Sequence, residues 1–163
     1  VAANRWRESH GRYFEDFAVG DVYEHRPGRT ISEADNTWFT LLTMNQHPLH
    51  LDAAYAAKSE FGTRLVNSCP TLSIVVGMSV SDISQKAIGN LGWTDIKLTA
   101  PVFIGDTIYA ESEVLSKRVS AGRPTQGIVE VRTTGKKADG TLFMSFNRAV
   151  LVPKRGHAVD DQD

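Results

Sequence analysis

The spacing of apolar and polar positions along the chain divides it into a mixed first part and a strand-rich second part. "VGDVYEHRPGRTIS" opens on a Gly-Asp turn and continues as a strand. "SEADNTWFTLLTM" has helical spacing, with Ser32 as N-cap, Glu33 and Asp35 in the first turn, and an apolar face made by Trp38, Leu41, Leu42 and Phe39. Pro48 is expected to break that helix. "LDAAYAAKSEFG" predicts a second short helix, N-capped by Asp52 and stopped by Gly62. "SCPTLSIVVGMSVSDIS" is ambiguous, because Ile74, Val75 and Val76 favour a strand. Its length, its small residues and a proline near its start instead suit a buried helix, and that is the expectation adopted.

From Trp93 onward the pattern turns to strands: "WTDIKLTAPVF", "DTIYAESEVLSKR", "TQGIVEVRTTGKK" and "TLFMSFNRAVLVP". Turn residues separate them. Ile108, Ala110, Ser112 and Val114 alternate with Thr107, Tyr109, Glu111 and Glu113, the pattern of a sheet covered on one face. This order argues for an α+β fold in which one long buried helix is wrapped by a curved antiparallel sheet. The expected unit is a single domain spanning 1–163, with its core over about 13–153 and a loose polar tail over 154–163.

Composition narrows the function classes. Lys and Arg total 18 against 19 Asp and Glu, a net charge of −1, so no basic footprint for nucleic acid exists. No apolar run reaches membrane-spanning length and none resembles a signal peptide, which points to a cytoplasmic protein with no membrane partner. Cys69 is the single cysteine, which excludes an intrachain disulfide, and its apolar neighbours predict a small buried residue rather than a nucleophile. Trp6, Trp38 and Trp93 are scattered and read as packing residues.

Candidate chemistry concentrates in "LLTMNQHPLHLD", which holds His47 and His50, two of the five histidines, around Pro48. The two brackets of a proline offer no third ligand at helical spacing, so no metal is expected. No GxS-type elbow is present, which disfavours a serine hydrolase. Histidine titrates close to working pH and suits acid–base work. The bland readings stand beside this one: Asn45 as a helix C-cap, Asp52 as an N-cap, and each histidine as a loop residue bonded to a neighbouring carbonyl.

"NQHPLHLDAAYA" resembles the hydratase motif of MaoC-like, (R)-specific enoyl-CoA hydratases, Asp-x-Asn-Pro-[aliphatic]-His followed by a short helix. "LTAPVFIGDTIYAESEV" is similar to that family's Pro-Val-x-x-Gly-Asp hairpin, and "FEDFAVGDVY" adds a weaker likeness. The resemblance spans about Tyr13 to Pro153 and implies the hot-dog fold. Pro48, Leu49 and His50 match the motif, whereas Asn45 stands at the family's catalytic Asp and His47 at its Asn. Ser68 stands where the family commonly has glycine, at the start of the buried helix.

By resemblance, His50 is the acid–base residue, with His47 able to share the work. Asn45 then positions water, and the Ser68 main-chain N–H receives the enolate oxygen. Expected substrate contacts are Arg64, Arg123, Pro48 and Asn67, with Lys117, Arg118 and Arg29 as further cations for phosphates or a second carboxylate. The implied activity is reversible hydration of a 2-enoyl-CoA without a cofactor, the CoA thioester being the substrate. "SAGRPTQGIV" and "PLHLD" are similar to the subgroup handling branched dicarboxylic substrates such as mesaconyl-CoA. A hot-dog thioesterase and a non-catalytic acyl-CoA-binding protein remain as alternatives. A homodimer, or an assembly of dimers, is the expected state.

Overall fold

In the computed structural model, which describes residue 4 and residues 9–162, one five-stranded antiparallel sheet carries the helices. The elements are β1 (Val22–Thr30), α1 (Glu33–Leu42), α2 (Pro48–Leu51), α3 (Ala53–Ala56), α4 (Ser68–Met78), β2 (Gly89–Leu98), β3 (Thr107–Ser120), β4 (Arg123–Lys137) and β5 (Leu142–Pro153). The strand order is β1-β3-β4-β5-β2, so β1 and β2 form the two edges. β3 pairs with β4 from Ile108↔Lys137 to Ser120↔Arg123, and β4 pairs with β5 along nearly its whole length. The alternation read in β3 holds: Ile108, Ala110, Ser112 and Val114 are buried beneath the helix, and their neighbours are not.

α4 lies across the sheet as expected and continues through a wider helical turn at Val80–Ser84. Thr71, Val75, Ser79 and Ile83 form its buried stripe, one residue per turn, while Ser73 and Gly77 on the other side stay exposed. Small and branched side chains allow this helix to approach the sheet closely. Two apolar clusters result. One joins Ile31, Val66, Val75, Ile108, Phe143 and Phe146; the other joins Phe14, Phe17, Ile83, Val114, Val131 and Val150.

Several expectations are corrected. α1 is capped as predicted, with Ser32 Oγ accepting from Asp35 N–H and Asp35 accepting from Ser32 N–H. Its face is inverted, however: Asn36 and Thr40 are buried, whereas Trp38 is 69% exposed and Leu42 76%. The polar stripe turns inward because main-chain groups near the end of α2 and at the N-cap of α4 need partners, as shown below. Trp93 is also exposed rather than packed, and Trp6 lies outside the described residues. Cys69 is exposed, on the side of the first turn of α4 away from buried Pro70 and Thr71. The helix predicted from Asp52 to Gly62 is capped by Asp52 as expected, through Tyr55 N–H, but is only the single turn α3; α2 is a separate turn ahead of it that was not predicted. Pro48 begins α2 at its first turn; α1 has already ended at Leu42. β2 starts at Gly89, earlier than expected, and stops at Leu98.

The segment beyond Pro153, expected to be loose, folds back onto the start of the chain. Lys86 Nζ reaches Asp160 at 2.7 Å, Tyr13 Oη donates to Asp161 at 2.5 Å, and Ala158 is buried.

Candidate active site

The turn from α1 to α2 is built by its own side chains. Asn45 Oδ1 accepts the His47 N–H at 3.0 Å, and His47 Nδ1 accepts the Leu49 N–H at 3.1 Å as the N-cap of α2. These are local turn bonds of the kind Asn and polar N-caps favour, and they hold both side chains away from the interior. His47 is exposed and its ring centroid lies 5.8 Å from that of His50.

His50 is placed differently. Its ring Nδ1 lies 2.8 Å from the carbonyl oxygen of Leu65. A carbonyl only accepts, so Nδ1 carries the hydrogen, and in the neutral ring Nε2 then carries the lone pair. Asn36 then joins two parts of the site. Its Nδ2 donates to the His50 carbonyl at 3.0 Å, and its Oδ1 accepts the Asn67 N–H at 3.0 Å. Asn67 Oδ1 in turn accepts the Cys69 N–H at 3.0 Å and caps α4, and Asn67 Nδ2 reaches Thr40 Oγ1 at 3.4 Å. Asn36 and Thr40 were absent from the sequence-based set of site residues. Their signal was a pair of polar residues four apart on the same helix as an apolar stripe.

The first turn of α4 offers one main-chain donor. Cys69 N–H is taken by Asn67, and Pro70 has none. That leaves the N–H of Ser68, the first helical residue, at the positive end of the helix.

His50 and Ser68 line one cavity of about 360 Å³. Phe61, Leu65, Val66, Leu98, Val102 and Phe143 supply most of its wall, with Thr71, Thr99, Ala100 and Pro101 completing it. Asn45, His47, Pro48 and Asn67 do not line it. Neither do the expected cations. Arg64 is paired with Glu33 at 2.8 Å, and Arg29 with Asp35. Lys117 donates to the carbonyls of Phe14 and Phe17 at 3.2 and 2.6 Å. Arg118 is exposed on β3. Arg123 sits at the β3–β4 hairpin, the opposite end of β3 from the cavity, about 40 Å away along the strand. Among the described residues, no group of three or more His, Cys, Asp or Glu is arranged to hold a metal.

A second polar cluster lies between the two apolar clusters. His25 Nδ1 meets Asp82 Oδ2 at 2.8 Å, His25 Nε2 meets Ser112 Oγ at 2.8 Å, and Ser112 Oγ meets Thr133 Oγ1 at 2.8 Å. The bonding order matches an Asp-His-Ser triad, yet His25, Ser112 and Thr133 are fully buried and no substrate reaches them. Burial holds the His25 pKa below its usual value, opposed by the bond to Asp82 and the charge of that carboxylate. Nearby Arg148 is buried and donates to Ser79 Oγ at 2.9 Å, while its Nε and Nη1 have no partner among the described residues. Burial lowers its pKa to about 10.

This fold and site have recognisable counterparts. A profile of the family described as mesaconyl-CoA hydratase matches residues 3–163. The chain belongs to the mesaconyl-CoA hydratase family. It is 33% identical to a mesaconyl-CoA hydratase of Cereibacter sphaeroides over 148 residues, which is 91% of this chain and 43% of that protein. It is 31% identical over 147 residues to an (R)-specific enoyl-CoA hydratase of Rhodospirillum rubrum, covering 88% of this chain and 94% of the relative. A solved MaoC-like dehydratase from the same organism superposes with a TM-score of 0.78 at 26% identity, covering 89% of this chain and 99% of that one. The hot-dog architecture implied by the sequence resemblance is therefore the fold of this chain. The chain spans less than half the length of the mesaconyl-CoA hydratase it matches.

Proposed function

We propose that this chain catalyses the reversible hydration of a 2-enoyl-CoA to a 3-hydroxyacyl-CoA, as a hydro-lyase that requires no cofactor. One observation carries the reading: a histidine whose free Nε2 is a base and an uncommitted helix N-terminal N–H line the same apolar cavity. The hydratase names of the relatives agree with it.

In the proposed mechanism, His50 Nε2 takes a proton from water as the water oxygen bonds to C3. The C2=C3 electron pair moves through the conjugated thioester, and its oxygen becomes an enolate. Ser68 N–H donates to that oxygen, aided by the α4 dipole. The protonated His50 then returns its proton to C2, so one residue serves in both directions. The Leu65 carbonyl, held at Nδ1–H, fixes the ring and stabilises the transient imidazolium. Asn45 is assigned to the turn rather than to the water, because its Oδ1 is bonded to the His47 N–H and it does not line the cavity.

Among the described residues lining the cavity there is no Asp or Glu, which argues against a carboxylate-dependent thioesterase. The working form is proposed to be a homodimer of a cytoplasmic protein. Edge strand β2 exposes Leu91, Trp93 and Ile96, apolar surface that a second copy would cover. Among the described residues, no helix is long and apolar enough to cross a membrane. Loss of the enoyl-thioester absorbance on incubation with crotonyl-CoA tests the activity. Release of free thiol instead would favour the thioesterase, and tight acyl-CoA binding without turnover would favour a binding protein.

A further inference from the structure

We infer that His47 is a positioning residue for the proposed hydration: its protonation state sets both the placement of His50 and the ease with which His50 takes up a proton. The inference rests on the hydratase reading for what His50 does, and deepens it by adding a control on the acid side of neutrality.

The first turn of α2 is held by one residue. Pro48 has no N–H, so Leu49 and His50 supply the first main-chain donors of the turn. Both go to His47: its ring Nδ1 accepts the Leu49 N–H at 3.1 Å, and its carbonyl accepts the His50 N–H at 3.1 Å. The same two residues are tied to Leu65 on the other side. The Leu49 carbonyl accepts the Leu65 N–H at 3.2 Å, and His50 Nδ1–H donates to the Leu65 carbonyl at 2.8 Å. The His47 ring therefore fixes the peptide that leads into His50, and through it the bonds that seat the His50 ring at the cavity.

A ring nitrogen accepts a hydrogen bond only through its lone pair, so Nδ1 of His47 is unprotonated and Nε2 carries the hydrogen. A second proton can enter only at Nδ1. It turns the acceptor into a donor that faces the Leu49 N–H, and the capping bond is lost. It also charges a ring whose centroid lies 5.8 Å from that of His50. A cation at that range opposes the imidazolium that His50 becomes when it takes a proton from water. The groups around the His47 ring do not offset this. Tyr55 on α3 meets it edge-on at 6.3 Å, and a phenol carries no charge at or below neutral pH. Asp52, the carboxylate nearest along the chain, caps α3 through the Tyr55 N–H at 2.9 Å. Asn45, which holds the His47 N–H, is neutral. His47 is exposed, so protons reach it from solvent.

Asparagine caps a helix with an oxygen that does not titrate, so His47→Asn and His47→Ala separate the cap from the charge. The readout is kcat/KM for crotonyl-CoA or mesaconyl-CoA, whichever the wild type hydrates faster. At pH 8, His47→Ala is expected to lose about tenfold, and His47→Asn to stay within about threefold of the wild type. Between pH 8 and pH 5.5, the wild type is expected to fall about threefold or more further than His47→Asn, because only the wild type carries the second titrating ring. Superimposable pH profiles, or full activity in His47→Ala, would overturn the inference. Proton–nitrogen correlation spectra read the cap without turnover: the Leu49 amide resonance is expected to move with the His47 ring titration. A Leu49 amide unmoved by that titration would also overturn the inference. A wild type that hydrates neither thioester, with the amide coupling present, would overturn the hydratase reading and leave the His47 control of α2 standing.

Discussion

Asn36 holds His50 and Asn67 together: its side chain donates to the carbonyl of one and accepts the N–H of the other, both at 3.0 Å. The proposed base and the capped start of α4 are thereby fixed to one buried amide on α1. Asn36→Ala leaves a buried N–H and a partly buried carbonyl without their partner and is expected to destabilise the protein by about 1–3 kcal/mol. The hydratase kcat/KM is expected to fall at least about tenfold, since displaced groups lose their alignment. Denaturant unfolding and steady-state kinetics check the two effects.

That bond pair shows where sequence reading succeeds and fails. The elements of the second half were legible because alternation has a direct physical cause, the covering of one sheet face, as in Ile108 to Val114. α4 was legible from its length and small residues. The buried face of α1 was not, because hydrophobicity assigns Trp38, Leu41 and Leu42 inward, whereas the local need is for hydrogen-bond partners. His50 and Ser68, which both line the cavity, were singled out by the motif around Pro48 and the start of the buried helix. The roles expected for Asn45 and His47 depended on which way two side chains point in a turn, and that is decided by local capping bonds. Arg123 was suggested by a loop whose distance from the cavity depends on strand register, which composition does not encode.

Ser68→Pro isolates the main-chain donor. Proline is tolerated in the first helical turn but carries no N–H. Asn67 precedes it with ψ 137, a conformation compatible with a following proline. A loss of about a hundredfold or more in kcat is expected, with the melting temperature little changed. Ser68→Gly keeps the N–H and is expected to retain activity within about tenfold of wild type.

His25 couples stability to pH. Its folded pKa is depressed by burial, so below its ordinary value of 6.5 the unfolded chain binds a proton that the folded chain does not. Its contribution is therefore present above about pH 6.5 and is lost as pH falls through the depressed folded value. Melting temperatures between pH 8 and pH 5 are expected to decline more steeply for wild type than for His25→Gln. Equal slopes would show that the imidazole is not the group responsible.

Arg148 is a buried guanidinium which, among the described residues, has two unpaired nitrogens and no carboxylate bonded to it. Replacing a poorly compensated buried charge by an apolar side chain relieves desolvation. Arg148→Leu is expected to leave stability unchanged or raise it by about 1–4 kcal/mol. Ser79 keeps its bond to the Val76 carbonyl at 2.6 Å in that variant. Loss of about 3 kcal/mol or more on denaturant unfolding would mean that the charge is compensated.

The most direct test of the central claim is crotonyl-CoA hydration by wild type and His50→Ala at matched protein concentration. A single histidine acting as both base and acid predicts clear turnover by the wild type and a loss of about a hundredfold to ten-thousandfold in the variant, with the fold retained. Hydration by His50→Ala within a few-fold of the wild-type rate would contradict it.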